Sequence, residues 1–298
     1  MPTLRQKRAS RTKRTIKLVA ATITLPFLAA VAAFSVYRYH FDGPFSTATS
    51  TWGEFGDFIG GVVNPVAGLV TIILLVLTLR SQQDELEEQR TQIARQGFEQ
   101  TFFTWLAAYS DAVSSLEIER SGKWLTGVHA LGKMIKTDGV INGMIVEYRL
   151  NEFSRNSEAD KENQRVALRV EIGDWWSQVY REHEPQLGRL IRTLFTLVRW
   201  VDRHPGLMES EKWDYVSIVR ARLSSPELRF LFFNAFYPQG RPFTQYLERY
   251  ALLDNLPLSS DAFIKLCANM DSFPFEFQAL NSDLARAERS GVDGRPDD

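Results

Sequence analysis

Four arginines, Arg189, Arg192, Arg199 and Arg203, lie along one edge of an apolar-periodic segment. Plotted at about 100° per residue, its Leu187, Leu190, Ile191, Leu194, Leu197, Val198 and Val201 share the opposite face. A stripe of guanidinium groups can hold a phosphate, a lipid headgroup or an acidic peptide through forked hydrogen bonds. It equally fits a solvated helix face pairing with the chain's 36 Asp and Glu residues. A second group, Trp52, Glu54, Gly56, Asp57, Gly60, Gly61, Asn64 and Pro65, mixes carboxylates with small residues at the head of an apolar run. Gly56 and Gly60 form a GxxxG pair, which lets two helix backbones approach closely in lipid. Glu54 and Asp57 are costly to place in hydrocarbon without a partner or water, and Asn64-Pro65 frees backbone polar groups that must find partners. These residues fit a helix contact or pore lining, or else an interfacial turn with a tryptophan anchor and a proline kink.

Nucleophilic and metal chemistry have less to work with. Cys267 is the only cysteine, and His40, His129, His183 and His204 are scattered singly, with no Cys/His spacing that suits a metal. GxxxxGK[ST], GxSxG and HExxH are absent from the sequence. No catalytic residue, metal or cofactor is therefore expected.

The elements that must position these groups follow from charge. Residues 18–37 and 58–79 contain no charged side chain, and each run is long enough as a helix to cross a hydrocarbon core of about 30 Å. Seven of the 35 Lys and Arg residues fall in residues 1–17, which have no acid; the remainder holds 28 bases against 36 acids, a net of −8. A basic N-terminus stays in the cytoplasm, so two spans return the chain there, and both termini are expected to be cytoplasmic. The loop between the spans, residues 38–57, is too short for a folded receptor. Sensing is then expected inside the cell. Nucleic acid is not an expected partner of so acidic a domain.

Beyond the spans, residues 80–97 read as a solvated connecting helix, and Phe98, Phe102, Phe103, Trp105 and Leu106 as an aromatic cluster entering a core. Leu79, Leu86 and Ile93 recur every seven residues between polar neighbours, too sparse a pattern for a coiled-coil seam. Apolar periodicity predicts helices at 166–180, 185–202, 212–223 and 226–236, the last opened by a capping box of Ser224 and Glu227 around Pro226. Residues 138–164 lack periodicity and read as irregular, with a surface loop. The expected fold is all-α: two membrane helices, a connecting helix, a helical cytoplasmic domain over 98–289 and a disordered tail, 290–298.

Three blocks carry a family resemblance: Trp52-Gly53-x-Phe55-Gly56-Asp57-Phe58-x-Gly60-Gly61-x-x-Asn64-Pro65, then Leu77-Thr78-Leu79-x-x-Gln82, then Phe98-Glu99-x-Thr101-Phe102-Phe103. Further on stand Leu187-Gly188-x-x-x-Arg192-x-Leu194 and Tyr215-x-x-Ile218-Val219-Arg220-Ala221-x-Leu223-Ser224-x-x-Glu227-Leu228. Together, over roughly Trp52 to Asn234, these resemble the phage abortive infection proteins, the AbiC-like family of bacterial membrane proteins. Where family members usually carry an aromatic pair, this chain has Leu190-Ile191. The resemblance implies anti-phage defence from the bacterial inner membrane, in which infection triggers arrest or death of the cell. It brings no catalytic residues.

Three functions stay open. A membrane effector would have the cytoplasmic domain detect a phage-derived or host trigger, with the lipid bilayer and copies of itself as partners. A tethered ribonuclease of the all-helical HEPN kind would use an Arg and a His four to six residues apart, a spacing that Arg199 and His204 meet. Chance supplies such a pair readily in an Arg-rich chain, and Trp200 replaces the usual polar neighbour. A non-catalytic adaptor would hold another defence protein at the membrane.

Overall fold

The computed structural model describes residues 20, 24–40, 46–136, 141, 143–259 and 261–286. The basic segment 1–17 and the expected tail 290–298 lie outside them. The chain divides into two units, Met1–Gln96 and Gly97–Asp298.

In the first unit, residues 24–40 are helical (α1), and α2 begins at Thr49 and is a single helix to Ser114, running on into the second unit. Residues 38–40 and 49–57, expected as loop, are thus helical. Ser46 prepares the start of α2: its Oγ accepts from Ala48 N at 3.1 Å, and its carbonyl accepts from Trp52 Nε1 at 2.9 Å. Pro65 sits inside the helix without ending it. Thr71 and Thr78 return their hydroxyls to the carbonyls of Ala67 and Leu74, at 2.8 Å each, so neither hydroxyl is left unpaired on the helix. Among the described residues, α2 alone is long and apolar enough to cross a membrane, by length and composition. The described part of the first apolar run falls short of the about 20 residues a span needs.

Among the described residues, the regular structure of the second unit is helical apart from one hairpin. It holds the last turns of α2, strands β1 (Glu117–Arg120) and β2 (Lys123–Thr126), then α3 (Gly127–Met134), α4 (Gly143–Arg155), α5 (Glu158–Glu182), α6 (Glu184–Asp202), α7 (Glu209–Arg222), α8 (Ser225–Asn234), α9 (Arg241–Arg249) and α10 (Ala262–Met270). A short 3-10 turn, Phe277–Leu280, follows and packs on α9. The antiparallel hairpin departs from an all-α expectation. Its two-residue turn, Ser121-Gly122, takes φ of 52° and 73°, the left-handed pair that matches strand twist and that glycine adopts freely.

The stretch expected to be irregular is mostly helical. The charged run after residue 154 is the exposed side of α5: Ser157 caps it by accepting from Asp160 N at 3.3 Å, and Lys161–Glu158 and Arg165–Glu162 pair three residues apart at 2.8 and 3.2 Å. Its buried side, Leu168, Ile172 and Trp176, is spaced for a helix but diluted by charge. The helices predicted downstream are present as α5 to α8, and the buried face of α6 is the predicted one, except that Ile191 is half-buried.

Helix α8 forms the centre. Phe230, Leu231, Phe232 and Phe233 are all buried, against α3 on one side and Trp175 and Trp176 of α5 on the other. At Gly240 any side chain would collide with the Asn234 carbonyl, so the chain leaving α8 closes on itself only with glycine.

Candidate functional site

The membrane-segment group is on one exposed helix. Glu54, Gly56, Asp57, Gly61, Asn64 and Pro65 of α2 are exposed, as is half of Trp52. The α1 and α2 helices meet through rings rather than glycines: Phe55 touches Phe34 at 6.1 Å and Tyr37 at 4.8 Å, and Tyr37 reaches Phe58 at 5.9 Å. A Cβ on Gly56 would meet nothing within 4 Å, and one on Gly60 only the amide of Asn64, at 3.6 Å. Among the described residues the GxxxG pair therefore has no helix against it.

The four arginines occupy an exposed edge of α6 as plotted. Arg192 reaches Glu184 at 3.8 Å, and Arg199 lies over the Phe195 ring at 5.2 Å. Both side chains of that first pair are more than half exposed, which screens it.

The family-like residues assemble where the end of α2 enters the core of the second unit. Phe98 stacks on Trp200 at 4.6 Å with rings 7° apart, and takes His204 and Tyr215 on its edges at 4.6 and 4.8 Å. Phe102, fully buried, also meets Tyr215, and Tyr215 donates its hydroxyl to Glu99 Oε1 at 3.2 Å. Phe103 stays at the rim, edge-on to Phe102 at 5.2 Å and 54% exposed, because successive helix positions turn by about 100° and Phe102 takes the inward one. Trp105 is half-buried and Leu106 buried.

One turn further on, buried Tyr109 donates to Glu227 Oε1 at 2.8 Å. Glu227 Oε2 accepts from Ser224 N at 2.9 Å and from the Ser224 hydroxyl, completing the predicted capping box. Burial, and then the Glu227 carboxylate, push the Tyr109 phenol well above its usual range, so it remains a donor. Arg220 donates to the Tyr250 carbonyl at 3.4 Å and lies over Trp213; burial lowers its pKa. These motif residues thus hold α2 to α6, α7 and α8. His204 belongs to the same seam: its Nδ1 accepts from Gly206 N at 3.2 Å, while Arg199 turns to Phe195.

Two features of this unit carried no local signal. Asp202, Glu209, Lys212 and Arg249 form an ion network, with Arg249 on Glu209 at 2.6 Å and on Asp202 at 3.3 Å. A cavity bounded by α3, α4, α8 and α10 is lined by bases drawn from distant parts of the sequence, among them Lys133 and Arg229. Among the described residues no three His, Cys, Asp or Glu side chains are grouped to hold a metal.

No curated protein and no solved structure matches the chain. A family model described as "Putative phage abortive infection protein", putAbiC, matches residues 182–260. The match takes in α6 to α9 with the Leu187–Leu194 and Tyr215–Leu228 motifs, while the Trp52–Pro65 and Phe98–Phe103 blocks lie outside it. Over residues 182–260, then, this chain is similar to the phage abortive infection proteins, and the AbiC-like resemblance is supported there.

Proposed function

We propose that this chain is a membrane-anchored effector of anti-phage defence. Its helical C-terminal unit responds to a phage-derived or host trigger in the cytoplasm, and its two membrane helices carry out or support disruption of the inner membrane. No reaction is assigned to it. The observation that carries the reading is α2: one helix holds the uncharged, outward-facing segment 58–79 and, at its far end, Phe98, Glu99 and Phe102 of the aromatic seam. A rearrangement of the seam reaches the membrane segment through that helix.

The test is membrane potential and survival through infection, with and without the protein. Depolarisation and loss of infected cells should require it. Gly60→Leu should weaken assembly of copies through the uncovered GxxxG face, and Asp57→Asn should reduce depolarisation, since a carboxylate at a pore mouth attracts cations. If both variants insert normally and keep full protection and depolarisation, the helices are only an anchor and the adaptor reading replaces this one. His204→Ala should leave protection intact; its loss together with infection-dependent RNA cleavage would favour the ribonuclease.

Orientation is tested with introduced cysteines, because native Cys267 is buried and its thiol is raised by burial and by the Asp261 carboxylate. An impermeant maleimide should label a Cys267→Ser background carrying Ala48→Cys in sealed cells, and one carrying Ser154→Cys only after lysis.

A further inference from the structure

The cavity of about 670 Å³ among α3, α4, α8 and α10 opposes the charge of the chain around it. Past residue 17 the chain is acidic, yet among the described residues the lining supplies His129, Lys133, Lys136, Arg229 and Lys265 against one carboxylate, Asp261. That carboxylate is committed elsewhere: its Oδ1 accepts from Phe263 N at 2.9 Å and caps α10. Lys265 is partly offset by Glu147, 2.9 Å away. The Nε of Arg229 is buried without a hydrogen-bond partner, and an unmet donor on a charged group is costly to keep.

The backbone adds to the same field. Gly143 opens α4, Pro226 lies in the first turn of α8 and Ala262 opens α10, and all three line the cavity. Helix N-termini carry partial positive charge and attract anions. Glu227 and Asp261 temper two of them, which leaves the side-chain cations dominant. Val128, Val146 and Pro226 give the cavity an apolar wall, and its volume falls in the range of small-molecule sites, about 300–1,000 Å³.

We infer that this cavity binds a small phosphorylated molecule of about nucleotide size, with Lys133 and Arg229 meeting the phosphate and the Val128 side seating the rest. The site does not depend on the membrane reading, because binding is measured on the purified chain without infection.

The experiment is titration calorimetry of the full chain in detergent with AMP, inorganic phosphate, glycerol 3-phosphate and adenosine as probes. AMP should bind saturably at one site, more tightly than phosphate or glycerol 3-phosphate, and adenosine should not bind at the same concentrations. Lys133→Gln and Arg229→Gln should each weaken AMP by about tenfold or more, from the loss of a charged hydrogen bond. Arg189→Gln, exposed on α6 and outside the lining, should bind as wild type. Lys133 is exposed, so its variant decides the matter even if Arg229→Gln does not fold. Four outcomes overturn the inference: no saturable binding of AMP; unchanged affinity in Lys133→Gln; an equal loss in Arg189→Gln, which would mean diffuse attraction; or phosphate or glycerol 3-phosphate binding as tightly as AMP.

Discussion

Leu69, Ile72 and Leu75 of α2 are 58, 61 and 58% exposed, whereas Leu187, Leu190 and Leu194 of α6 are wholly buried. Both sets lie on helices at helical spacing. They differ in what shares the helix: α6 has an arginine edge to give to water, while residues 58–79 of α2 have no charged residue on any side. An amphipathic helix is satisfied by one apolar neighbour, and a helix apolar all round needs an apolar surrounding. The comparison separates a helix that one apolar neighbour satisfies from a segment, 58–79, whose apolar surface the described residues leave mostly uncovered.

The largest expected effect cuts at that difference. Trp176 of α5 is fully buried against Phe230 and Phe233, and Trp176→Ala should cost about 3–5 kcal/mol in the second unit. Leu75→Ala should change stability in detergent by no more than about 0.5 kcal/mol, as exposed positions do. Denaturation followed by helical circular dichroism measures both. A loss at Leu75 comparable to that at Trp176 would mean that protein, not lipid, covers this face.

How much of this could be read from sequence depended on whether the signal was local. The buried face of α6 and the Ser224–Glu227 box were legible because helix periodicity and capping act within a few residues. Two further signals are just as local. Ser121-Gly122 is a turn pair that announces the hairpin, and Ser157 with Glu158 and Asp160 announces α5. Residue type alone puts Phe103 inward, although its neighbour Phe102 fills that direction. The basic cavity has no local form: Lys133, Arg229 and Lys265 come from three helices far apart in the chain, and only tertiary packing puts them around one cavity. The putAbiC match falls on 182–260, where packing of α6 to α8 constrains side chains, rather than on the block around Gly56.

A smaller effect tests the seam between α2 and α8. Tyr109→Phe removes the donor to Glu227 Oε1 and leaves a carboxylate that is 4% exposed with one oxygen unmet. Loss of one partner of a buried polar pair costs about 1–3 kcal/mol, so the melting temperature should drop by several degrees. Gln at 227 in the same background should recover part of the loss, since a neutral amide is less expensive to bury. A Tyr109→Phe protein as stable as wild type would show that this end of α2 is held by Phe98 and Phe102 alone, and would weaken the case that α2 is tightly joined to the domain.

The smallest effect concerns pH and the ion network that joins α7 to α9. Burial alone would raise the Glu209 pKa, but hydrogen bonds from Lys212 and Arg249 outweigh it and hold the carboxyl at about 2, against an ordinary 4.5. A carboxylate whose folded pKa is depressed adds stability that is fully present above the ordinary value and is lost as pH falls through the folded one. The stability difference between wild type and Glu209→Gln should therefore be flat from pH 8 to about pH 5 and shrink as pH falls from there toward about 2. Its plateau should be modest, about 1 kcal/mol, because the Glu209 side chain is 31% exposed and Arg249 44% exposed, so water screens the pair. Arg249→Gln should flatten the same pH dependence by removing the donor at 2.6 Å while leaving Lys212 in place at 2.7 Å. Both variants lie in the second unit, away from the apolar segment 58–79 in sequence, so neither should alter how much of the protein sediments with membranes. A shift in that fraction would mean that the network contributes to membrane association, and the division of labour between the exposed apolar helix and the buried core would have to be redrawn.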